Sequence, residues 1–411
     1  MHIVIVNRWP RFSDGVRWDN ELTRYEEFVD HDRHRVSYVV DGPGARGVLV
    51  AQEKIAHLVL VDDVNVFTSL RDAVAEVVEE VGPVDRLIAL SEFTLEIAAQ
   101  VREDLGVPGP TTEEVAVYRD KVRMKEVLAG AGVRVPAFEP CEDLARCRAF
   151  AAAHGYPVIL KPVNSAGSIG VHRVDDEAAL TALLPTVDLA RYEIEEFVPG
   201  RIFHVDGYAD ADSGIPFLVV SRYVNDCLDF VSGAPLGSVV VGRSALRDRV
   251  EEFTRDCVSV LRMRRLPFHL ELFVTPDDEL VFLEIGGRVA GADVPHLLNK
   301  LFGVNLYETW LRDLSDEPVP VPVKDRDSSG GWLIIPKPDR PVRVVRSSSM
   351  AGRVPAVWRE LVPHVGDVLE PGGSYDALHS GRFILLGDDE DRVEADIRHI
   401  IADYDLEVTP L

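Results

Sequence analysis

His269-Leu270-Glu271-Leu272 and Phe282-Leu283-Glu284-Ile285-Gly286-Gly287-Arg288 decide how this chain is read. The runs Phe268 to Val274 and Leu280 to Ile285 are apolar, and Thr275-Pro276-Asp277-Asp278-Glu279 between them is a polar turn. That pattern predicts a β-hairpin. A hairpin sets Glu271 and Glu284 side by side, and two close carboxylates resist ionising together unless a cation lies between them. Mg²⁺ takes a couple of carboxylates together with phosphate oxygens, so the pair points to a magnesium site beside a phosphorylated ligand. Arg288 follows on the same segment and adds a fixed positive fork. The plainer alternative is a hairpin whose two glutamates face solvent.

Outward from the hairpin, the chain of 411 residues is too long for one ordinary core and implies two or three packed domains. Hydrophobic residues at 46% and charged residues at 27% are ordinary for a globular protein. A formal net charge of −25 argues against nucleic acid, whose phosphates call for a basic stripe. ATP is not excluded, because a few placed lysines, backbone N–H groups and metal ions set the local field. Cys141, Cys147, Cys227 and Cys257 are scattered without CxxC spacing, so neither a zinc site nor a disulfide framework is expected. Met1 to Asn7 reads as a core strand and not as a signal peptide, and no run reaches membrane-spanning length. A cytoplasmic protein with no membrane partner is the expectation.

Through Leu105 short apolar strands alternate with helical patterns. His2 to Val6, Arg35 to Val40, His57 to Val61 and Arg86 to Leu90 are predicted strands; Leu70 to Val81 and Thr94 to Leu105 are predicted helices. That is an α/β domain with a parallel sheet. No GxGxxG follows the first strand, which weakens a dinucleotide reading. Val107-Pro108-Gly109-Pro110 closes the unit. Glu113 to Ala131 is a predicted helix. A small α/β unit follows, with helices at Leu144 to His154 and Glu177 to Leu184 and strands at Pro157 to Lys161 and Tyr192 to Phe197. Long strands then alternate with a helix at Ser244 to Leu261, and Asn225 to Gly237 is read as a loop. Pro318 to Pro322 reads as a linker. The remainder, with strands at Gly331 to Ile335 and Phe383 to Leu386 and a helix at Asp389 to Tyr404, is an α+β tail.

Two further segments carry chemistry. Val158-Ile159-Leu160-Lys161 runs into Val163-Asn164-Ser165-Ala166-Gly167-Ser168-Ile169-Gly170. A strand-end lysine before a small-residue loop suits phosphates, since backbone N–H groups approach without Cβ obstruction. It is not a P-loop, because the lysine precedes the glycines. The alternative is a turn. Glu195-Glu196-Phe197-Val198-Pro199-Gly200 ends another strand where main-chain groups are left to read a base edge; the alternative is an interdomain linker with two solvated acids.

In this order the pieces resemble the ATP-grasp carboxylate–amine ligases, most of all the L-amino acid ligases that form dipeptides, with matching motifs from about Arg119 to Asp293. The resemblance implies an ATP-grasp fold of α/β and α+β parts. These are an N-terminal Rossmann-like, pre-ATP-grasp domain (1–112), an ATP-grasp domain (113–325) with a lid at about 135–197, and a C-terminal α+β lobe (326–411). It implies that Lys121 and Lys161 contact the α- and β-phosphates and that Ser165, Gly167, Ser168 and Gly170 belong to a loop over the triphosphate. Glu195, Glu196, Phe197 and Val198 would hold adenine, with Glu195 at its amino group. Glu271 and Glu284 would coordinate two Mg²⁺, with Mn²⁺ as a substitute, and Arg288 would steady the acyl phosphate. Many relatives have Glu where this chain has Ile202, and often Asn at Gly286; His204 or Asp206 would then serve the ribose. His269, Ala292 and Asp293 would line a substrate pocket, Asp293 against an ammonium or simply as a helix N-cap. The implied activity joins a carboxylate, expected to be an amino acid, to an amine through an acyl phosphate, giving ADP and phosphate, in dipeptide or natural-product biosynthesis. Small-molecule acid and amine substrates are the expected partners, with a homodimer common among relatives. The rivals are a carboxylase of the biotin-carboxylase or purine-synthesis type and a non-catalytic ATP-binding regulator.

Overall fold

A computed structural model describes residues 1–11, 20–225, 227–320, 328–371 and 379–411. The expected boundary at 325/326 and the end of the Pro318 to Pro322 linker lie outside the described residues. Strands β1 (His2–Asn7), β2 (Arg35–Val40), β3 (His57–Leu60) and β4 (Arg86–Ala89) form a parallel sheet in the order β3-β2-β1-β4. Alternation along β1 divides its side chains between two cores. Val4 and Val6 pack with Leu70, Val74 and Val77 of helix Phe67–Val81, while Ile3 and Ile5 join the main core. Helix Glu92–Leu105 starts just after β4, so its first turn lies at the carboxyl end of the sheet, where open parallel sheets bind ligands.

β5 (Phe138–Pro140), β6 (Val158–Pro162), β7 (His172–Val174) and β8 (Tyr192–Glu196) make an antiparallel sheet in the order β5-β8-β6-β7. Helices Leu144–His154 and Glu177–Leu183, N-capped by Asp143 and Asp176, cover it. Phe150, Leu160, Leu180 and Ile194 belong to a core of its own.

β9 (Arg201–Ala209), β10 (Phe217–Tyr223), β11 (Leu236–Val240), β12 (Leu266–Val274) and β13 (Leu280–Gly286) follow. The last stretch adds β14 (Ser329–Pro336), β15 (Val342–Ser347), β16 (Val357–Leu361), β17 (Val368–Leu369), β18 (His379–Gly387) and β19 (Leu406–Pro410). The large sheet has the order β13-β12-β9-β10-β11-β14-β18-β16, and β17-β15-β19 is a small separate one. Strands β14, β18 and β16 therefore extend the sheet that carries the glutamate hairpin, through the β11–β14 pairing.

Three sequence expectations are corrected. The helix expected over 113–131 is two, Thr112–Ala116 and Lys121–Gly130. The Asp120 carboxylate accepts the N–H groups of Val122 and Arg123, so it caps a new helix and sets Lys121 in its first turn. The segment read as a loop at 225–237 contains helix Cys227–Val231 and the start of β11. Helices Val294–Phe302 and Leu306–Leu314 occupy a stretch for which no helix was expected; their apolar residues pack into the main core. No helix among the described residues is long and apolar enough to cross a membrane.

Candidate active site

β12 and β13 pair antiparallel with Glu271 directly opposite Glu284, and the register shifts between Glu271 and Leu272. Like charges directly opposite on a sheet destabilise it unless something compensates them. Each carboxylate here is compensated separately. Glu284 Oε2 lies 3.0 Å from Lys121 Nζ. Glu271 Oε1 accepts from the Tyr223 hydroxyl at 2.7 Å and faces His269 Nε2 at 3.4 Å. Burial raises the Glu271 pKa, but these two donors outweigh it and hold the carboxyl below its usual range. The other oxygen of each glutamate accepts no hydrogen bond among the described residues. Two adjacent carboxylates with one oxygen apiece available form a hard oxygen donor set, which fits Mg²⁺.

Glu284 and Lys121 line a cleft with Arg119, His269, Arg288 and Glu92. Glu92, in the first turn of its helix, was not anticipated, because nothing in its local pattern distinguishes it from a capping acid. Its Oε2 accepts from Arg288 Nε at 2.5 Å and its Oε1 from Arg119 Nη1 at 2.6 Å. Burial opposes the Glu92 charge, yet Arg288 and Arg119 bring its pKa down to about 2. Burial likewise works against the Arg288 cation, and Glu92 more than reverses that. Arg288 Nη1 donates to Val289 O at 3.2 Å; Nη2 donates to nothing among the described residues.

Lys161 and Glu195 meet in a buried charge cluster. β6 and β8 pair Lys161 with Glu193 and Ile159 with Glu195, and strand alternation turns both glutamates to one face. Lys161 Nζ lies 2.7 Å from Glu195 Oε1, and Lys125 Nζ lies 2.7 Å from Glu195 Oε2 and 2.8 Å from Glu193 Oε1. Lys125, on the helix turn after Lys121, also lies over the Phe138 ring. Burial would lower the Lys161 pKa, but Glu195 and Glu193 lift it above the usual range. Burial raises that of Glu193, whose Oε2 has no hydrogen-bond partner. The Glu195 carboxylate thus has both oxygens on lysines, where the sequence reading expected it at an adenine amino group. Glu196 pairs with Arg134 at 2.5 Å, the Phe197 ring lies under Arg173, and Val198 is buried.

The loop after β6 is tied to the cleft. Lys121 Nζ donates to Ser165 O at 2.7 Å and Arg119 Nη2 to Asn164 O at 2.9 Å. Gly167, Ser168 and Gly170 have φ of 65°, 57° and 75°. At Gly170 an added Cβ would come within 2.9 Å of Pro162 and of the Tyr192 hydroxyl, so glycine is required there for space as well as for φ.

Three other expected residues are placed as follows. His204, offered for the ribose, is buried, with Nδ1 2.7 Å from Asp206 and Nε2 2.7 Å from Ser238 Oγ. Both ring nitrogens are engaged within the sheet. Asp293, offered for a substrate ammonium, is fully buried and paired with Arg382 at 2.6 Å; it makes no side-chain cap to the helix it precedes. The pairing arises because β18 brings Arg382 in from the far end of the chain. Ala292, just before it, has φ 54° and packs at the edge of the main core.

Residues 154–296 match the family model for an ATP-grasp domain. The chain is 24% identical over 264 residues to the L-arginine-specific L-amino acid ligase of Bacillus subtilis, covering 62% of this chain and 63% of that one. It is 24% identical over 266 residues to an alanine–anticapsin ligase of Bacillus subtilis, covering 58% and 56% respectively. It therefore spans about three-fifths of the length of these curated relatives. The crystal structure of an L-amino acid ligase from Bacillus licheniformis superposes with a TM-score of 0.74 at 18% identity, over 100% of this chain and 98% of that one. The cross-strand glutamates, the lysine-ended strand with its glycine loop and the family match converge: residues 154–296 are similar to an ATP-grasp domain, and the chain shares the overall fold of that L-amino acid ligase.

Proposed function

We propose that the protein is an ADP-forming carboxylate–amine ligase whose acid substrate is an amino acid. The observation that carries this reading is the register of Glu271 against Glu284, with Lys121 on one of them and Arg288 in the same cleft. In the proposed reaction the γ-phosphoryl group leaves ADP and forms a P–O bond to the substrate carboxylate. The amine, having lost a proton, then attacks the carbonyl carbon of the acyl phosphate and phosphate departs. Glu271 and Glu284 would hold two Mg²⁺, or Mn²⁺ in their place, which when bound offset charge on the phosphoryl oxygens.

Lys121 and Lys161 bind the phosphates, and the loop from Ser165 to Gly170 covers them. Lys161 stays charged at any physiological pH because Glu195 and Glu193 face it. The main chain of Phe197 and Val198, just past the end of β8, reads the adenine edge. Arg288, braced through Nε by Glu92, turns Nη2 to the oxyanion that forms when the amine adds. Acyl phosphates hydrolyse, so the unit built on β5 to β8 closes over the site and excludes water.

The test is phosphate release with paired amino acids, with products identified by mass. ADP and a dipeptide-like product are expected. AMP in place of ADP overturns the acyl-phosphate route, and ADP release driven by bicarbonate without any amino acid favours a carboxylase instead. ATP binding without turnover across the whole amino-acid panel would indicate a regulator.

A further inference from the structure

Behind Glu271 the large sheet holds a row of buried polar side chains that none of the roles above uses. The β9–β12 register pairs His269 with Asp206 and Glu271 with His204. His204 reaches past β10 to Ser238 on β11, across a position where β10 has only Ser221 opposite it. The contacts are continuous. Ser238 Oγ is 2.7 Å from His204 Nε2, His204 Nδ1 is 2.7 Å from Asp206 Oδ2, Asp206 Oδ1 is 2.8 Å from His269 Nδ1, and His269 Nε2 is 3.4 Å from Glu271 Oε1. Ser238, His204 and Asp206 are each 1% exposed and His269 is 8% exposed. Such a network rigidifies members that are hydrogen-bonded to one another, as Ser238, His204, Asp206 and His269 are, and His269 faces Glu271 at its end.

We infer that His269, Asp206, His204 and Ser238 are positioning residues that hold the Glu271 carboxylate so that it offers a divalent cation one oxygen, Oε2. Tyr223 and His269 both lie against Oε1, so the carboxylate is not presented as a chelating pair. Asp206 accepts from both imidazoles and locks the ring planes of His204 and His269. The inference rests on the reading of Glu271 as a metal ligand.

The same three residues are close enough to be considered for an ion of their own, since their ligand atoms lie within 4.8 Å of one another. The separations of 2.7 and 2.8 Å from Asp206 to the two Nδ1 atoms are those of hydrogen bonds. Ligands around a tetrahedral zinc stand about 3.3 Å apart, as bond lengths near 2.0–2.1 Å require.

The experiment measures Mn²⁺ affinity of the full chain by electron paramagnetic resonance in the presence of a non-hydrolysable ATP analogue, with circular dichroism as the check of folding. Glu271→Gln tests the underlying reading, and Asp206→Asn and Ser238→Ala test the chain behind it. Outer partners of metal ligands commonly carry about 10–100-fold in affinity, so Asp206→Asn should weaken Mn²⁺ by that factor. Ser238→Ala removes no charge and should fold even where Asp206→Asn does not; it should weaken Mn²⁺ several-fold and alter the Mn²⁺ line shape. Analogue binding without metal should stay unchanged in Ser238→Ala. If Glu271→Gln weakens Mn²⁺ while folded Asp206→Asn and Ser238→Ala bind it as the parent does, the positioning role is overturned. If Glu271→Gln itself has no effect, the metal reading has failed instead. Tightly bound zinc in the purified protein, lost in Asp206→Asn and kept in Glu271→Gln, would also overturn the positioning role.

Discussion

Replacing Glu92 with Gln tests the link between the N-terminal domain and the cleft. In the folded protein the Glu92 carboxyl is held at about 2 against an ordinary 4.5, first against the cost of burial and then by Arg288 and Arg119. That difference corresponds to roughly 3 kcal/mol of preference for the ionised form, at about 1.4 kcal/mol per pH unit. Because the folded pKa is depressed, the stability it contributes is complete above pH 4.5 and disappears as the pH falls toward 2. The parent protein should therefore lose about 3 kcal/mol across that window from this group, and Glu92→Gln should lack that part of the slope. At neutral pH the variant also leaves Arg119 and Arg288 without their carboxylate, a change that costs on the order of 3–5 kcal/mol for buried pairs. The amide oxygen retains one acceptor, so the lower end of that range is expected. Urea unfolding at pH 7, 4.5 and 3 reads both effects. Parallel pH profiles for parent and variant, or equal stability at pH 7, would refute the reasoning.

Glu284→Gln should suppress ATP turnover by about 10²–10³-fold in a coupled ADP assay; a variant with full activity would defeat the metal assignment. Lys125→Met leaves Glu193 and Glu195 short of a cation in a site that is nearly dry, and should cost about 3–5 kcal/mol in urea unfolding. Adding Glu195→Gln to it should recover part of that loss, and a strictly additive double variant would argue against the cluster. Arg382→Met removes the guanidinium from beside the fully buried Asp293 and should destabilise the protein by about 3–5 kcal/mol, read as a lowered denaturant midpoint; an unchanged midpoint would show that the pair is not the tie between β18 and the Arg288 segment.

Local pattern made the elements that repeat with a period legible. The hairpin of β12 and β13, the parallel N-terminal sheet and the helix at 144–154 come from alternation, helical spacing and turn residues within a short window. Lys161, Glu271, Glu284 and Arg288 could be named from sequence because each stands on a strand or just after one beside a recognisable motif, and Lys121 through the family resemblance alone; that Lys121, Glu284 and Arg288 line one cleft could not. Strands β15, β17 and β19 do not stand out locally, and they owe their pairing to one another across the chain. The break at Val117 to Asp120 was missed because helical propensity persists through it; a carboxylate capping the next helix decides the matter.

By itself, then, the order of residues determined most of the longer strands and that two carboxylates oppose each other on a hairpin. Those properties depend on neighbours along the chain. Only the tertiary structure decided that Glu92 braces Arg288, that Glu195 is held by two lysines, that Asp293 belongs to Arg382 and that His204 faces Asp206 and Ser238. Except for Asp206, two residues from His204 on β9, each partner comes from a remote segment. Burial makes a charged or polar group costly until it is paired, and the fold alone determines which partner lies within a hydrogen bond's reach.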